Sequence, residues 1–222
     1  MFKKAVVIII SIVSIRALSY AQQPLRFGSG FFFGLDLAQI DGDDMQGFDK
    51  KGINFGLRGM AYVLPKLEVH AELAYSQRGS RSKEFNISQH LGRRLTTDYA
   101  STSLLLAIND WFEPIKEFYR LQLIGGVSLG RIVRYDTYDA FVFDNRKVNF
   151  TELTPYYNLT DFSMVLGANI KLTQKIGLSF RYNRSFNNLL DGDTVSKESI
   201  FKGKSVLNMK GYFLALDAFY LF

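Results

Sequence analysis

Residues 207–222 read LNMKGYFLALDAFYLF and alternate as a β-strand with two different faces does. Successive side chains of a strand point to opposite sides, so the even positions up to Phe222 form an apolar face, while the odd positions include Gly211 and Asp217. A hydrophobic strand at a sheet edge would pair with other chains, whereas a closed barrel has no edge. We therefore interpret residues 207–222 as the closing strand of a membrane barrel, with its even face on lipid.

The N-terminus carries the pattern of an export signal. Lys3 and Lys4 precede an apolar run over residues 5–15, and Ser19-Tyr20-Ala21 follows it as a small-x-small cleavage site. The run is too short for a membrane anchor, and Arg16 interrupts it. The sequence predicts a cleaved signal peptide over residues 1–21 and a β-barrel domain over residues 22–222.

Composition and charge agree with an exported barrel. The chain is 47% hydrophobic, yet its mean hydropathy is near zero, so apolar residues are spread thinly and not gathered in helical spans. Loss of Lys3, Lys4 and Arg16 lowers the formal charge from +6 to +3, which gives no reason to expect a nucleic-acid partner. Because the chain has no Cys, its stability must come from the strand ladder and not from disulfides.

Seven further segments alternate in the same way, which makes eight strands in all. The connections alternate too: the first, third, fifth and seventh are long and polar, the second and sixth are tight, and the fourth is intermediate. This alternation is typical of an all-β, eight-stranded antiparallel up-and-down transmembrane β-barrel with short periplasmic turns and long external loops. The seven segments are residues 27–40, 53–64, 67–76, 95–108, 119–133, 159–172 and 176–186.

The opposite face of these strands carries ionisable residues. Unpaired, they would each cost several kcal/mol in a soluble core, but in a narrow lumen they can pair with one another and with water. A soluble lipocalin-like barrel would instead turn its apolar face inward around a ligand. The candidate lumen charge network comprises Arg58, Glu68, His70, Glu72, Arg120, Asp161, Lys171, Arg181 and Asp217.

The segment 95–108 is the exception to this clear division. Leu104, Leu106 and Ile108 would form one side, but Leu105 and the small residues beside it form the other. Both faces are therefore apolar enough to meet lipid, and the register of this fourth strand stays open.

Three short stretches resemble the PorT-like outer-membrane β-barrel family. They are GLDLAQIDGD at residues 34–43, Gly56-Leu57 in the second strand, and ELAYSQRGS at residues 72–80. The resemblance covers nearly all of the mature chain and is most specific in its N-terminal third. It implies an eight-stranded outer-membrane barrel in a family whose founding member takes part in the secretion of surface and secreted proteins. The family has no catalytic motif to carry over.

Residues with catalytic or metal-binding chemistry are sparse. His70 and His90 are the two histidines, no Cys accompanies them, and no Gly-x-Ser-x-Gly elbow is present. The acidic stretch 41–44 lacks the later Glu of an EF-hand, so we interpret it as a turn with solvated acids. We predict no catalytic, cofactor-binding or metal site.

Basic residues are concentrated in the stretch 77–94, which we expect to be an external loop. Arg78, Arg81, Lys83, Arg93 and Arg94 would contact anionic lipopolysaccharide head groups there or would simply be solvated. Both interpretations stay open from the sequence.

These features predict a non-enzymatic barrel in the cell outer membrane. Eight strands leave no wide channel, so side chains should fill the lumen. Expected partners are outer-membrane lipid and lipopolysaccharide, the barrel-assembly machinery, which would recognise Tyr220 and Phe222, and secretion-system or surface proteins. A soluble periplasmic ligand-binding barrel and a barrel-embedded outer-membrane enzyme are the alternatives.

Overall fold

Each strand of the chain hydrogen-bonds to its neighbour in sequence, and the last pairs with the first to close the barrel. The structure, a computed structural model, describes residues 27–45, 47–109, 118–140, 149–197 and 207–222, so the signal peptide predicted over residues 1–21 lies outside the described residues. The predicted fold class is confirmed. The strands are β1 (Phe27–Asp41), β2 (Lys50–Leu64), β3 (Leu67–Arg81), β4 (Arg93–Asn109), β5 (Leu121–Asp139), β6 (Thr160–Lys171), β7 (Ile176–Ser185) and β8 (Lys210–Leu221).

The seam between β1 and β8 closes the sheet. The two strands pair antiparallel from Gly30 with Leu221 to Asp41 with Lys210. Beyond the last pair, the amide of Phe222 donates to the carbonyl of Ser29 at 2.9 Å. Backbone groups that face lipid must bond within the protein, and this seam satisfies those that an open sheet would leave exposed.

The polarity of the two faces of the sheet is reversed relative to that of a soluble barrel. Large apolar side chains point outward, while charged and amide side chains point into the lumen. An exposed apolar surface of this extent marks a membrane-facing wall. The soluble-barrel alternative requires the opposite arrangement and does not hold. Outward side chains that are at least half exposed include Phe33, Leu35, Ile53, Phe55, Leu57, Leu73, Leu104, Leu106, Leu123, Leu129, Leu166 and Leu216.

Several strands extend further toward the long loops than the sequence predicts. The predicted loop 77–94 is wrong at both ends, because Gln77 pairs with Asp98 and Arg81 with Arg94 in a continued hairpin. β5 likewise continues to Asp139, inside the predicted connection after residue 133. Beyond the membrane both strand faces meet polar surroundings, so the contrast between apolar and polar positions that marks a strand disappears.

Pairing with β3 determines the register of β4. Ala71 lies opposite Leu104 and Val69 opposite Leu106, which turns those two leucines outward and leaves Leu105 fully buried. Toward the loop end, a β-bulge between Asp98 and Tyr99 shifts the register of the β4–β5 pairing by one residue.

A hydrophobic cap covers the lumen at the loop end. Helix α1 (Phe150–Leu153), the 3-10 turn Thr154–Tyr156 and helix α2 (Gly192–Val195) fold over the mouth. The cap also buries Asp43, which the sequence suggested would be solvated: burial raises the pKa of this carboxyl to about 6. The clustered apolar side chains are Ile40, Met45, Leu95, Tyr99, Ile132, Phe150, Leu153, Tyr157, Leu189, Leu190, Val195 and Met209.

Helices in the described ranges are short. None of them has the length and apolar character needed to cross a membrane.

Removal of Phe222 should impair assembly in cells more than it impairs refolding of purified protein. The deletion removes the bond to Ser29 and the ring contacts with Phe31 and Tyr220, at 6.1 and 5.9 Å between centroids. Heat-modifiable migration in detergent gels, which reports a closed barrel, would measure the folded fraction in membranes and after refolding in detergent.

Phe186→Ala is the matched control, because Phe186 is also exposed but lies at the opposite end of the barrel. Normal membrane insertion of the truncated chain would contradict a role for the terminal residue in assembly.

Candidate functional site

An ion-pair cluster crosses the middle of the lumen. Glu72 on β3 accepts hydrogen bonds from Arg58 Nε at 2.7 Å and from Arg181 Nη1 and Nη2 at 2.7 and 3.1 Å. β3 and β7 lie on opposite walls of an eight-stranded barrel, so the side chains of Glu72 and Arg181 together span its diameter. Arg58 and Glu72 are 3% and 2% exposed, and the cluster therefore closes the lumen at this level.

Two acids extend this cluster toward β1 and β8. Asp217 accepts from the side-chain amide of Asn54 at 2.7 Å, and its other oxygen lies 3.7 Å from Arg181 Nε. Asp36 accepts from the same amide of Asn54 at 2.8 Å and from the hydroxyl of Ser76. Side chains from β1, β2, β3, β7 and β8 thus form one connected network.

Aromatic rings cover the arginines on the side of the short turns. The Arg58 guanidinium lies 5.6 Å from the ring centre of Phe32 and 5.1 Å from that of Phe219, and Arg181 lies 5.2 Å from Phe32. A cation over an aromatic face is stabilised by about 0.5–2 kcal/mol, depending on desolvation. Gly56 leaves the space that Phe32 needs, since a Cβ at that position would meet the Phe32 ring.

A second polar network occupies the end with the short turns. Glu68 contacts His70 Nε2 at 2.9 Å, accepts from Asn109 at 2.7 Å and lies 3.9 Å from Lys171 Nζ. Asn109 in turn accepts from Gln122, which accepts from Asn169 at 2.6 Å. This chain of amides carries the network across β3, β4, β5 and β6.

The third group lies just below the cap. Arg78 donates to Asp161 at 2.9 Å and to the Ser76 hydroxyl at 2.8 Å, and its guanidinium stacks 4.0 Å from the ring centre of Phe213 and 4.6 Å from that of Tyr99. A small cavity of about 20 Å³ remains beside it. This cavity has room for about one water molecule.

The sequence matches the profile of a family described as "Outer membrane protein beta-barrel domain" over residues 5–201. The chain belongs to this family. No curated protein sequence matches it significantly.

Solved structures of other outer-membrane barrels are similar to this family member. Ail, the attachment invasion locus protein of Yersinia pestis, in complex with the heparin analogue sucrose octasulfate, is 14% identical at a TM-score of 0.45, covering 89% of this chain and 99% of that one. Neisserial surface protein A is 10% identical at a TM-score of 0.45, covering 89% of this chain and 99% of that one. The N-terminal β-barrel domain of Pseudomonas aeruginosa OprF is 9% identical at a TM-score of 0.39, covering 88% of this chain and 99% of that one.

The structure places eight of the nine candidate network residues of this outer-membrane barrel in the lumen and one at the rim. The exception is Arg120, which precedes the first residue of β5 and is exposed at the rim, so its expected place in the lumen network is wrong. Its backbone carbonyl accepts from the amide of Lys171 at 2.8 Å. Ser76 joins the group below the cap to the mid-height cluster, because its hydroxyl donates to Asp36 and accepts from Arg78. Among the described residues, no hydrogen bond connects the Glu68 group to this larger network.

Sequence reasoning missed several lumen residues. Arg78 was assigned to a loop, although its place two residues after Ser76 on the inward face of β3 would have revealed it had the strand been extended. Asp36 and Asn54 are absent from the candidate network, because nothing in their own strands indicates that Asn54 bridges Asp36 to Asp217. Among the described residues, no three His, Cys, Asp or Glu side chains gather as metal ligands.

Glu72→Gln should destabilise the folded barrel by about 3–5 kcal/mol, because Arg58 and Arg181 would lose their shared anion while staying buried. Urea unfolding in detergent micelles, followed by gel mobility without heating, would measure the change.

Glu84→Gln is the control for loss of a carboxylate, since Glu84 is exposed in the loop between β3 and β4 and should change stability by no more than about 0.5 kcal/mol. Equal stability of Glu72→Gln and wild type would show that the two arginines do not depend on Glu72.

Proposed function

We propose that this outer-membrane protein is a non-conducting, non-enzymatic barrel of PorT-like type that acts as a structural or adaptor component. The observation that carries the proposal is the lumen, which is closed at mid-height by Glu72 and its two arginines and again at the loop end by the cap. A protein without a continuous channel does not act by passing solutes through its barrel. Its action then depends on its outer wall and loops.

Burial of His70 supports the non-enzymatic part. The barrel-embedded enzyme alternative would need a base that substrate can reach, and His70 is the histidine that lies on a barrel strand. This side chain is 1% exposed, and its Nε2 contacts Glu68 inside the lumen, away from lipid. The geometry therefore favours a structural role for His70.

The adaptor role in secretion or surface assembly is supported by the resemblance of residues 34–43 and 72–80 to PorT-like proteins. A structured loop end also supports it. The hairpin between β3 and β4 bends back through the Asn86–Leu91 pair, and Phe85 packs edge-on against Tyr138 at 5.4 Å. Such an ordered tip is suited to contact with another protein.

Planar-bilayer recording tests the closed lumen. Wild-type protein should give no stepwise conductance, because no water path crosses the Glu72 level. A folded Arg58→Ala/Glu72→Ala/Arg181→Ala variant, verified by heat-modifiable migration, should also stay closed, because the cap and the Glu68 network still obstruct the two ends of the lumen. Stepwise conductance by the wild type would overturn the proposal.

Deletion of the gene tests the secretion role. Surface biotinylation and analysis of the culture medium should show a severalfold loss of surface and secreted proteins, restored by wild type. A variant with residues 86–91 replaced by Gly and Ser should fold but fail to restore export, whereas Lys197→Gln, an exposed change elsewhere at the loop end, should restore it. An unchanged set of exported proteins in the deletion strain would reject this role.

A further inference from the structure

A polar cleft of about 380 Å³ lies on the outer wall of the barrel, where β2, β3, β4 and β5 extend toward the loops. Its lining residues include outward-facing strand positions such as Lys51, Gln77 and Thr96, so it is separate from the lumen networks. The volume falls in the range of small-molecule sites.

Positive charge exceeds negative charge in this cleft. Two acids, Asp98 and Asp136, accompany five cations, which gives a net formal charge of +3. Both acids already have partners, because Asp136 pairs with Arg94 at 2.6 Å and Asp98 accepts from Gln77 at 3.1 Å. The five cations are Lys50, Lys51, Arg81, Arg94 and Arg134.

Four of these cations have no ion pair with an acid. Within the ranges that the structure describes, no carboxylate lies within 4.0 Å of the charged groups of Lys50, Lys51, Arg81 and Arg134. The Nε atoms of Arg81 and Arg94 are also buried without a hydrogen-bond acceptor. A buried charged donor without a partner is costly, and an anion in the cleft would supply the acceptors. Phosphate matches the planar donor fork of arginine in geometry and charge.

The position of the cleft relative to the membrane indicates where the phosphate comes from. Phe55 and Tyr75 stack on the outer wall with centroids 5.2 Å apart, as interfacial aromatic residues do. Gln77 is the next outward residue of β3 after Tyr75, about 7 Å further from the apolar belt. The cleft therefore begins at the level of lipid head groups.

We propose that this cleft binds a phosphate group, carried by a lipid of the outer leaflet, through Arg81, Arg94 and Arg134, with Lys50 and Lys51 adding charge. The inference rests on the proposed orientation, in which the long loops lie outside the cell. In that orientation the site faces the phosphorylated sugar head groups of lipopolysaccharide.

Native mass spectrometry of the folded protein released from detergent micelles tests the site. The probes are diphosphoryl lipid A, its dephosphorylated form and inorganic pyrophosphate, each titrated at 150 and 500 mM ammonium acetate. Wild type should retain one diphosphoryl lipid A, more weakly at the higher salt concentration because ions screen the contact, and should not retain the dephosphorylated lipid.

Arg81→Gln/Arg134→Gln should weaken lipid A binding at least tenfold. Arg184→Gln is the matched control, because Arg184 is an exposed arginine near the loop end of β7, on the opposite wall, and should bind within twofold of wild type. All variants are first verified as closed barrels by heat-modifiable migration, so that loss of binding is not loss of fold.

The three probes separate the sources of the phosphate. Tighter retention of diphosphoryl lipid A than of pyrophosphate assigns a lipid head group, whereas equal competition by pyrophosphate assigns a soluble phosphate compound. Equal lipid A binding by wild type and Arg81→Gln/Arg134→Gln, or equal retention of the dephosphorylated lipid, overturns the site.

A separate labelling experiment tests the orientation. The chain has no Cys, so Ser88→Cys places a single thiol in the exposed loop between β3 and β4. A membrane-impermeant maleimide should label it on intact cells. Absence of labelling there, with labelling in lysed cells, would reject the orientation while leaving the binding result interpretable.

Discussion

Glu72 must satisfy two buried arginines at once, and much of the interior is arranged around that requirement. A buried charge without a partner costs several kcal/mol, so Arg58 and Arg181 each direct an N–H toward this carboxylate. Because Arg181 comes from the opposite wall, the pairing that neutralises the charges also blocks the barrel. The same contacts that stabilise the fold therefore prevent it from acting as a pore.

The reversed polarity of the two sheet faces follows from the surroundings on each side of the wall. Lipid surrounds the outer wall, so apolar residues face outward and every backbone group in the belt must bond within the ladder, including the β1–β8 seam. The polar residues that a soluble protein would place on its surface are confined to a narrow lumen. There they form layers at the short turns, at mid-height and beneath the cap, and Ser76 joins the last two. The surfaces left for interaction are the loop end and the extended outer wall.

How well the sequence predicted each element depended on its surroundings. Within the belt, β2 and β3 were recognised because Leu73 and Glu72 face media of opposite polarity, which produces a clear alternation. Beyond the belt that contrast is lost, and the extension carrying Arg78 and Arg81 was assigned to a loop for this reason. The error at Arg120 is the opposite one: the predicted strand begins at residue 119, two residues before β5 starts, which placed an exposed rim residue in the lumen.

Alternation along one strand is a local property, so the sequence by itself determined the number of strands, the faces of every strand except β4, and most of the inward charges. Pairing between distant residues is not local. Only the tertiary structure decided that Arg181 meets Glu72, that β3 turns Leu104 outward, and that Lys51 and Arg134 line the same cleft. Each of these depends on the register between strands and on the curvature of a closed sheet, which bring together side chains that no spacing within one segment relates.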